Sequence, residues 1–157
     1  MFAEKLEAAE APLVQRVRAI LLTEDKRLLF IKRVKPNNTP PYWVAPGGGV
    51  EAYDNSLYDA LNRELSEELG AKATVLNRGF VLHHEKADKN LEEHFFVCRL
   101  LDYDLSLRYG PEFDDPSRGE YIPDAIDLSP QSIEAINIKT GQLRDWLLDN
   151  LDMLREL

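Results

Sequence analysis

The stretch WVAPGGGVEAYDNSLYDALNRELSEELGA, Trp43 to Ala71, constrains this chain more than any other. A proline and three glycines, Gly47 to Gly49, permit backbone conformations closed to other residues and let a ligand or metal ion approach the main chain. A helix then has to begin. Ser56 is a good N-cap and Asp59, three residues on, completes a variant of the capping box, so the spacing predicts a helix over Ser56 to Leu69. On it Leu57, Leu61, Leu65 and Leu69 form one stripe at about 100° per residue, while Glu64, Glu67 and Glu68 project together about a quarter-turn away. The carboxylates therefore border the buried face. Like charges at this spacing cost an isolated helix roughly 0.2–0.5 kcal/mol per pair, and more where solvent is partly excluded. Arg63 is the nearest fixed cation but points away from Glu68, so a divalent metal held by oxygen ligands complements the cluster better. The plain alternative is a solvated acidic face.

Charge narrows the partners. With 28 acidic against 19 basic residues and a formal charge of -9, the composition argues against a protein that holds nucleic acid by its phosphates, which needs a basic face. An anionic small molecule remains accessible if divalent cations sit between it and the carboxylates. The length of 157 residues, 44% of them hydrophobic, suits one well-packed domain spanning 1–157. Cys98 lies in the apolar run HFFVCRLL and reads as a small buried hydrophobe; a lone cysteine forms no disulfide within the chain. The N-terminus carries acids where a signal peptide needs basic and apolar residues, and no run approaches the ~20 apolar residues of a membrane span. A soluble, cytoplasmic protein with no membrane contact is expected.

Residues 3–11 favour a helix that Pro12 stops, and RVRAILLT and KRLLFIKRV read as two strands joined at Glu24 to Lys26. ATVLNRGFVLHH and EEHFFVCRLL are further strands, apolar at consecutive positions as when both sheet faces are covered. The covering helices are Ser56 to Leu69, Gln142 to Leu154 with its leucines at helical spacing, and a shorter one opened by Ser129 and Pro130. This is an α/β sandwich. DLSLRYGPEFDDPSRGE, Asp104 to Glu120, has no clear period, and loops of this length in compact domains tend to be functional or disordered.

Neither standard phosphate-binding glycine pattern is present: no lysine follows the glycines, and no G-x-G-x-x-G opens the helix. The order and spacing of GGGVE and RELSEELGA instead resemble the signature of the Nudix hydrolases. That signature is a glycine, a glutamate six positions on, then after seven more residues R-E-U-x-E-E-x-G-U, with U bulky and aliphatic. Arg63, Glu64, Leu65, Glu67, Glu68 and Gly70 match, and Ala71 is a small substitute for the last aliphatic. The signature region is 48–71, and PYWVAP before it resembles the family's usual lead-in; the looser likeness runs over residues 14–128. The first glutamate's place is Asp54 counted forward from Gly48 and Asn55 counted back from Arg63. A one-residue insertion in EAYDNS reconciles the two counts and leaves Asn55 where the family has a supporting carboxylate.

The resemblance implies a Nudix-like α/β/α sandwich around a mixed sheet. It implies a Mg2+-dependent hydrolase, with Mn2+ as a substitute, cleaving the pyrophosphate bond of a nucleoside diphosphate linked to another group. A glutamate cluster is itself a hard-oxygen site suited to those ions rather than to zinc. By similarity Glu64 and Glu68 ligate metal, Glu67 is a ligand or the base, the Gly48 carbonyl completes the shell, and Arg63 orients the glutamates. Related enzymes often add a carboxylate from outside the helix, for which Glu120 is the first candidate and Glu112 the second. Lys32, Arg33 and Lys35 at a strand end are candidates for substrate phosphates, and Trp43 or Tyr42 for stacking on a base; solvated charges and packing are the plain readings of each. His83 and His84 could sit near the site, yet with neither a matching cysteine nor a third histidine nearby they do not make a zinc site. The alternatives are a catalytically inactive Nudix-fold binding or sensing module, for which Asn55 speaks, and an unrelated acidic α/β protein. The oligomeric state is left open by the sequence, with a homodimer as the candidate.

Overall fold

In the computed structural model, which describes residues 11–157, eight strands join in one mixed sheet. All but the last residue of the helix expected over residues 3–11 falls outside the described region. Strand β1 (Leu13–Leu22) runs parallel to β6 (Asn90–Tyr103) in continuous register from Leu13↔Asn90 to Leu22↔Arg99. β5 (Ala71–Glu85) lies antiparallel on the outer side of β6. β2 (Arg27–Val34) pairs antiparallel with β7 (Glu120–Asp127) and with β3 (Tyr42–Val44), which runs parallel to β8 (Ile138–Lys139). β4 (Gly47–Gly49) returns to β1 at Val17↔Gly48.

The expected hairpin is present but short. β1 and β2 meet only at Leu22↔Leu28, because each satisfies its backbone elsewhere, β1 on β6 and β2 on β7. A cleft opens between the two strands.

Helix α1 (Leu57–Leu69) forms as its sequence dictates. The Ser56 hydroxyl accepts the Asp59 amide at 3.0 Å, and Gly70, in the left-handed region at φ 58, ends the helix with its N–H on the Leu65 and Ser66 carbonyls. Leu61, Leu65 and Leu69 pack on Val17, Ala19, Leu21, Leu29, Ile31 and Phe96. Each such fully buried leucine contributes about 1.5–3 kcal/mol. The opposite sheet face, with Ile20, Leu22, Leu28, Phe30, Phe95 and Val97, is covered by α2 (Pro130–Glu134), α3 (Gly141–Asp149) and α4 (Leu151–Glu156) through Ile133, Leu143, Leu147 and Leu154. The sheet is thus covered on both faces, as an α/β sandwich requires. The single helix expected over Gln142 to Leu154 is broken at Asn150, whose side-chain amide donates to the Trp146 carbonyl at 2.7 Å. Cys98 is fully buried, and burial pushes its thiol up to about 12, in keeping with an inert packing role.

The segment after β6 is ordered by three short 3-10 turns, Leu105–Leu107, Pro111–Asp114 and Pro116–Arg118. Asp104 and Asp115 start two of them by accepting the amides of Ser106 and Ser117. Among the described residues no helix is long and apolar enough to cross a membrane.

Candidate active site

The glycines are explained by what lies against them. Gly47 sits at φ +151, and a side chain there would collide with the Val17 carbonyl oxygen. A Cβ on Gly48 would come within 2.5 Å of the Glu64 carboxyl group. The helix glutamate is therefore packed on bare main chain, which is possible only while residue 48 has no side chain.

Arg63 gathers the surrounding acids. Its Nε and Nη2 donate to the two oxygens of Asp54 at 3.0 and 2.9 Å, Nη1 donates to Glu64 at 3.1 Å and Glu67 at 3.2 Å, and Nη2 also reaches the Gly49 carbonyl at 2.9 Å. Asp54 is 4% exposed at its side chain, and the bonds from Arg63 hold its carboxyl below the usual carboxylate range. This corrects the assignment of the supporting position to Asn55. The forward count from Gly48 is the one the chain follows, Asp54 is the supporting carboxylate, and Asn55 is an exposed inserted residue. A bidentate pair needs two oxygens in one plane, which an asparagine does not offer.

Glu68 turns inward and accepts the Gly47 amide at 3.3 Å. Burial pushes its carboxyl up to about 8, opposed by Arg18 and reinforced by Glu64 and Glu112. Burial likewise raises Glu64, against the pull of Arg63. Arg18 is fixed by Glu93 at 3.0 Å and by the Ala45 carbonyl at 3.1 Å. Among the described residues no three acidic, histidine or cysteine side chains are already drawn together as a metal site; Arg63 occupies the space between Glu64 and Glu67. The donors on offer are nonetheless all oxygens, and a cation beside Glu68 would favour the ionised carboxylate that burial disfavours. The residues fit a hard divalent ion.

The cleft beside this cluster has a volume of about 420 Å3, within the range of small-molecule sites. Arg16 and Arg18 of β1 face Ile31 and Arg33 of β2, with Tyr42, Tyr121 and Glu68 also contributing. Of the residues singled out in the sequence, Arg33 and Tyr42 line it, as do His84 and Glu112. Lys32 and Trp43 do not. Side chains alternate across the sheet, so both point to the face covered by α3, where the Trp43 indole donates to Asp124 at 2.8 Å and Lys32 lies 5.3 Å from its ring. Glu120 is exposed at the start of β7 and is not part of the lining; its carbonyl accepts from Arg33. The loop carboxylate that lines the cleft with Glu68 is Glu112, whose charge adds to the rise of the Glu68 carboxyl. Arg16, Arg18, Glu93, Phe113 and Tyr121 escaped the sequence reading, though the i, i+2 pair Arg16 and Arg18 in an otherwise apolar strand is a visible signal.

Fold and site together describe an α/β protein whose acidic helix is clamped beneath a glycine strand. The chain belongs to the Nudix hydrolase family: it matches the NUDIX domain model over residues 12–127. It is 32% identical over 92 residues to the CTP pyrophosphohydrolase of Escherichia coli (strain K12), a stretch covering 59% of this chain and 66% of that protein, just under two thirds of its length. Solved structures of similar fold include a MutT protein from Methanosarcina mazei Go1, with a TM-score of 0.65 and 21% identity over 94% of this chain and 99% of that one. A NUDIX hydrolase from Nitrosomonas europaea has a TM-score of 0.66 at 18% identity, covering 92% and 91%. The reading as an unrelated acidic protein is thereby set aside.

Proposed function

We propose that this protein is a Mg2+-dependent pyrophosphohydrolase that cleaves the phosphoanhydride of a nucleoside diphosphate joined to another group, with Mn2+ able to replace Mg2+. The observation that carries the reading is the single guanidinium of Arg63, which ties Asp54, Glu64, Glu67 and the Gly49 carbonyl together beside the inward Glu68. Glu64 and Glu68, with the Gly48 carbonyl and Glu67, are the groups that would hold the ion. When bound, the ion supplies charge neutralisation for the diphosphate and makes water more acidic.

The chain's own residues do the rest. Arg63 restrains Glu64 and Glu67 on one helix face, which limits the rotamers they must give up when the ion and substrate arrive. Glu67, the most exposed of the three helix glutamates at 24%, or Glu112 from the loop takes the proton of the attacking water. Arg33 is held by the carbonyls of Arg118 and Glu120 and lies 3.7 Å from the Tyr121 ring, which fixes one wall of the cleft. The cleft volume and the acidic surface suit a nucleotide-sized ligand rather than a nucleic acid.

The test is hydrolysis of nucleoside triphosphates, nucleotide sugars, ADP-ribose and dinucleoside polyphosphates with Mg2+, reading the nucleotide products. The name of the Escherichia coli relative puts CTP first among them. Turnover abolished by EDTA and by Glu64→Gln supports the proposal. Nucleotide binding without turnover on any substrate refutes it in favour of a silent binding module.

A further inference from the structure

The cleft carries more positive charge than a diphosphate at Glu68 requires. Arg16, Arg18, Arg33, Lys86, Lys89 and Lys139 line it, six cations in a chain of net charge -9. Of the three acids in the lining, Glu93 is already paired with Arg18 at 3.0 Å. The β5–β6 turn sorts its charges. In HEKADKN, His84, Lys86 and Lys89 line the cleft while Glu85 and Asp88 do not. Among the described residues Arg16, Lys86 and Lys89 form no ion pair, whereas Arg18, Arg27, Arg63, Arg118, Arg144 and Arg155 each do.

These cations lie in sequence along one wall. Arg18 stands at the level of Gly47, beside Glu68. Arg16, on the same face of β1, is about 6–7 Å further out at ~3.3 Å per residue, and the turn meets the strand at Leu13↔Asn90, ~16 Å out by the same rise. A path of positive charge thus leads away from the glutamate cluster to the cleft mouth. Uncompensated cations that share one concave wall raise the local concentration of an anion and hold it.

We propose that Arg16, Lys86 and Lys89 form a second anion site, which binds a phosphate on the substrate beyond the two phosphates at the glutamate cluster. This deepens the pyrophosphohydrolase reading and rests on it for the position of the first two phosphates. The preferred substrates then carry a longer phosphate chain or a phosphorylated second group, and a nucleotide sugar with a neutral second group gains nothing from this wall.

The experiment compares wild type with the Lys86→Glu/Lys89→Glu double variant. A Lys72→Glu/Arg144→Glu double variant, outside the cleft, controls for the same change in net charge. Each is assayed with Mg2+ on a nucleoside 5′-triphosphate and on the matching nucleoside diphosphate glucose, for all four bases. Thermal melts establish that the variants fold, as expected for substitutions in an exposed turn. The proposal expects KM for the triphosphate to rise at least tenfold in the cleft variant, with the sugar nucleotide within twofold and the control near wild type. Equal losses on both substrates, no loss on either, or wild-type turnover of the sugar nucleotide alone overturns it. Should wild type turn over no substrate, the hydrolase reading fails by itself. Calorimetric binding of inorganic tripolyphosphate in EDTA then decides the second site: binding lost in the cleft variant supports it, and no binding to wild type overturns it.

Discussion

Glu68 offers a measurable test of the site in the absence of any substrate. Its carboxyl is enclosed beneath the Gly47 amide and titrates near 8 in the folded protein, against 4.5 as the ordinary value. A raised folded value means that the folded state binds this proton more tightly than the unfolded state. The stabilisation is complete below pH 4.5 and is lost as pH rises through about 8, at up to about 1.4 kcal/mol per pH unit. Glu68→Gln removes the titration while keeping the shape and the acceptor for Gly47. In EDTA the two proteins should therefore match at pH 5 and diverge above it. Allowing for Glu68's partial exposure, the variant should be more stable by on the order of 2–4 kcal/mol at pH 9. For a chain of this size each kcal/mol moves Tm by about 2–4 °C.

The assay is a set of thermal melts at pH 5, 7 and 9, first in EDTA and then in millimolar Mg2+. The difference between variant and wild type isolates Glu68 from the other carboxyls, such as Asp54, whose lowered value gives a slope of opposite sign near pH 4. Magnesium should restore wild-type stability at pH 8–9, because a bound ion compensates the ionised carboxylate, and should do little for the variant. Turnover should fall at least about a hundredfold in the variant. Parallel pH curves for the two proteins would refute the burial argument, and a folded variant with full activity would refute the metal assignment.

Gly48→Ala puts a methyl group into the Glu64 carboxyl, within 2.5 Å, so turnover should drop more than tenfold while Tm falls by only a few degrees, as melts and kinetics on one preparation will show. Asp54→Asn should lower kcat and raise the Mg2+ concentration needed for half-maximal rate, since Arg63 loses its two-oxygen partner, whereas Asn55→Glu should change both less than about threefold. Glu112→Ala should lower kcat and Glu120→Ala should not; the reverse result would return the loop carboxylate to the β7 end. Leu65→Ala, at 1% exposure, should cost about 2–5 kcal/mol in urea unfolding.

The parts legible in the sequence are those whose cause is local. The Ser56 cap, the leucine stripe of α1 and the Gly70 stop each depend on residues within a few positions, so the helix and its three glutamates are found where spacing puts them. Asp54 and Asn55 could not be told apart by counting, because a loop has no period to fix its register; only the fork of Arg63 selects the residue with two equivalent oxygens. β4 is a strand of three glycines and the Tyr and Ile residues of β7 are interrupted by Pro123, so the strand signal is absent in one and broken in the other, and both pair with the backbone edges that β1 and β2 offer.

The harder failure concerns which side chains meet. Alternation along β2 separates Lys32 from Arg33 with certainty, but nothing in the sequence of β2 says which face α1 will cover. That is fixed only when Leu29 and Ile31 pack against Leu61 and Leu65, which carries Arg33 to the glutamate side and leaves Lys32 over Trp43. The same logic moved the loop carboxylate. Glu120 is held in register opposite Val34 by a ladder of eight strand pairs, and that anchoring keeps its side chain at the exposed strand end. Glu112 lies in a 3-10 turn free of the ladder, close to a segment whose Arg108 donates to the Glu68 carbonyl at 2.9 Å. A carboxylate that must adjust to an arriving substrate is better placed on such a turn than in a sheet, because a turn can shift without breaking strand pairs. Position near the site is therefore set here by the contacts of the loop's own arginine rather than by distance along the chain from a strand.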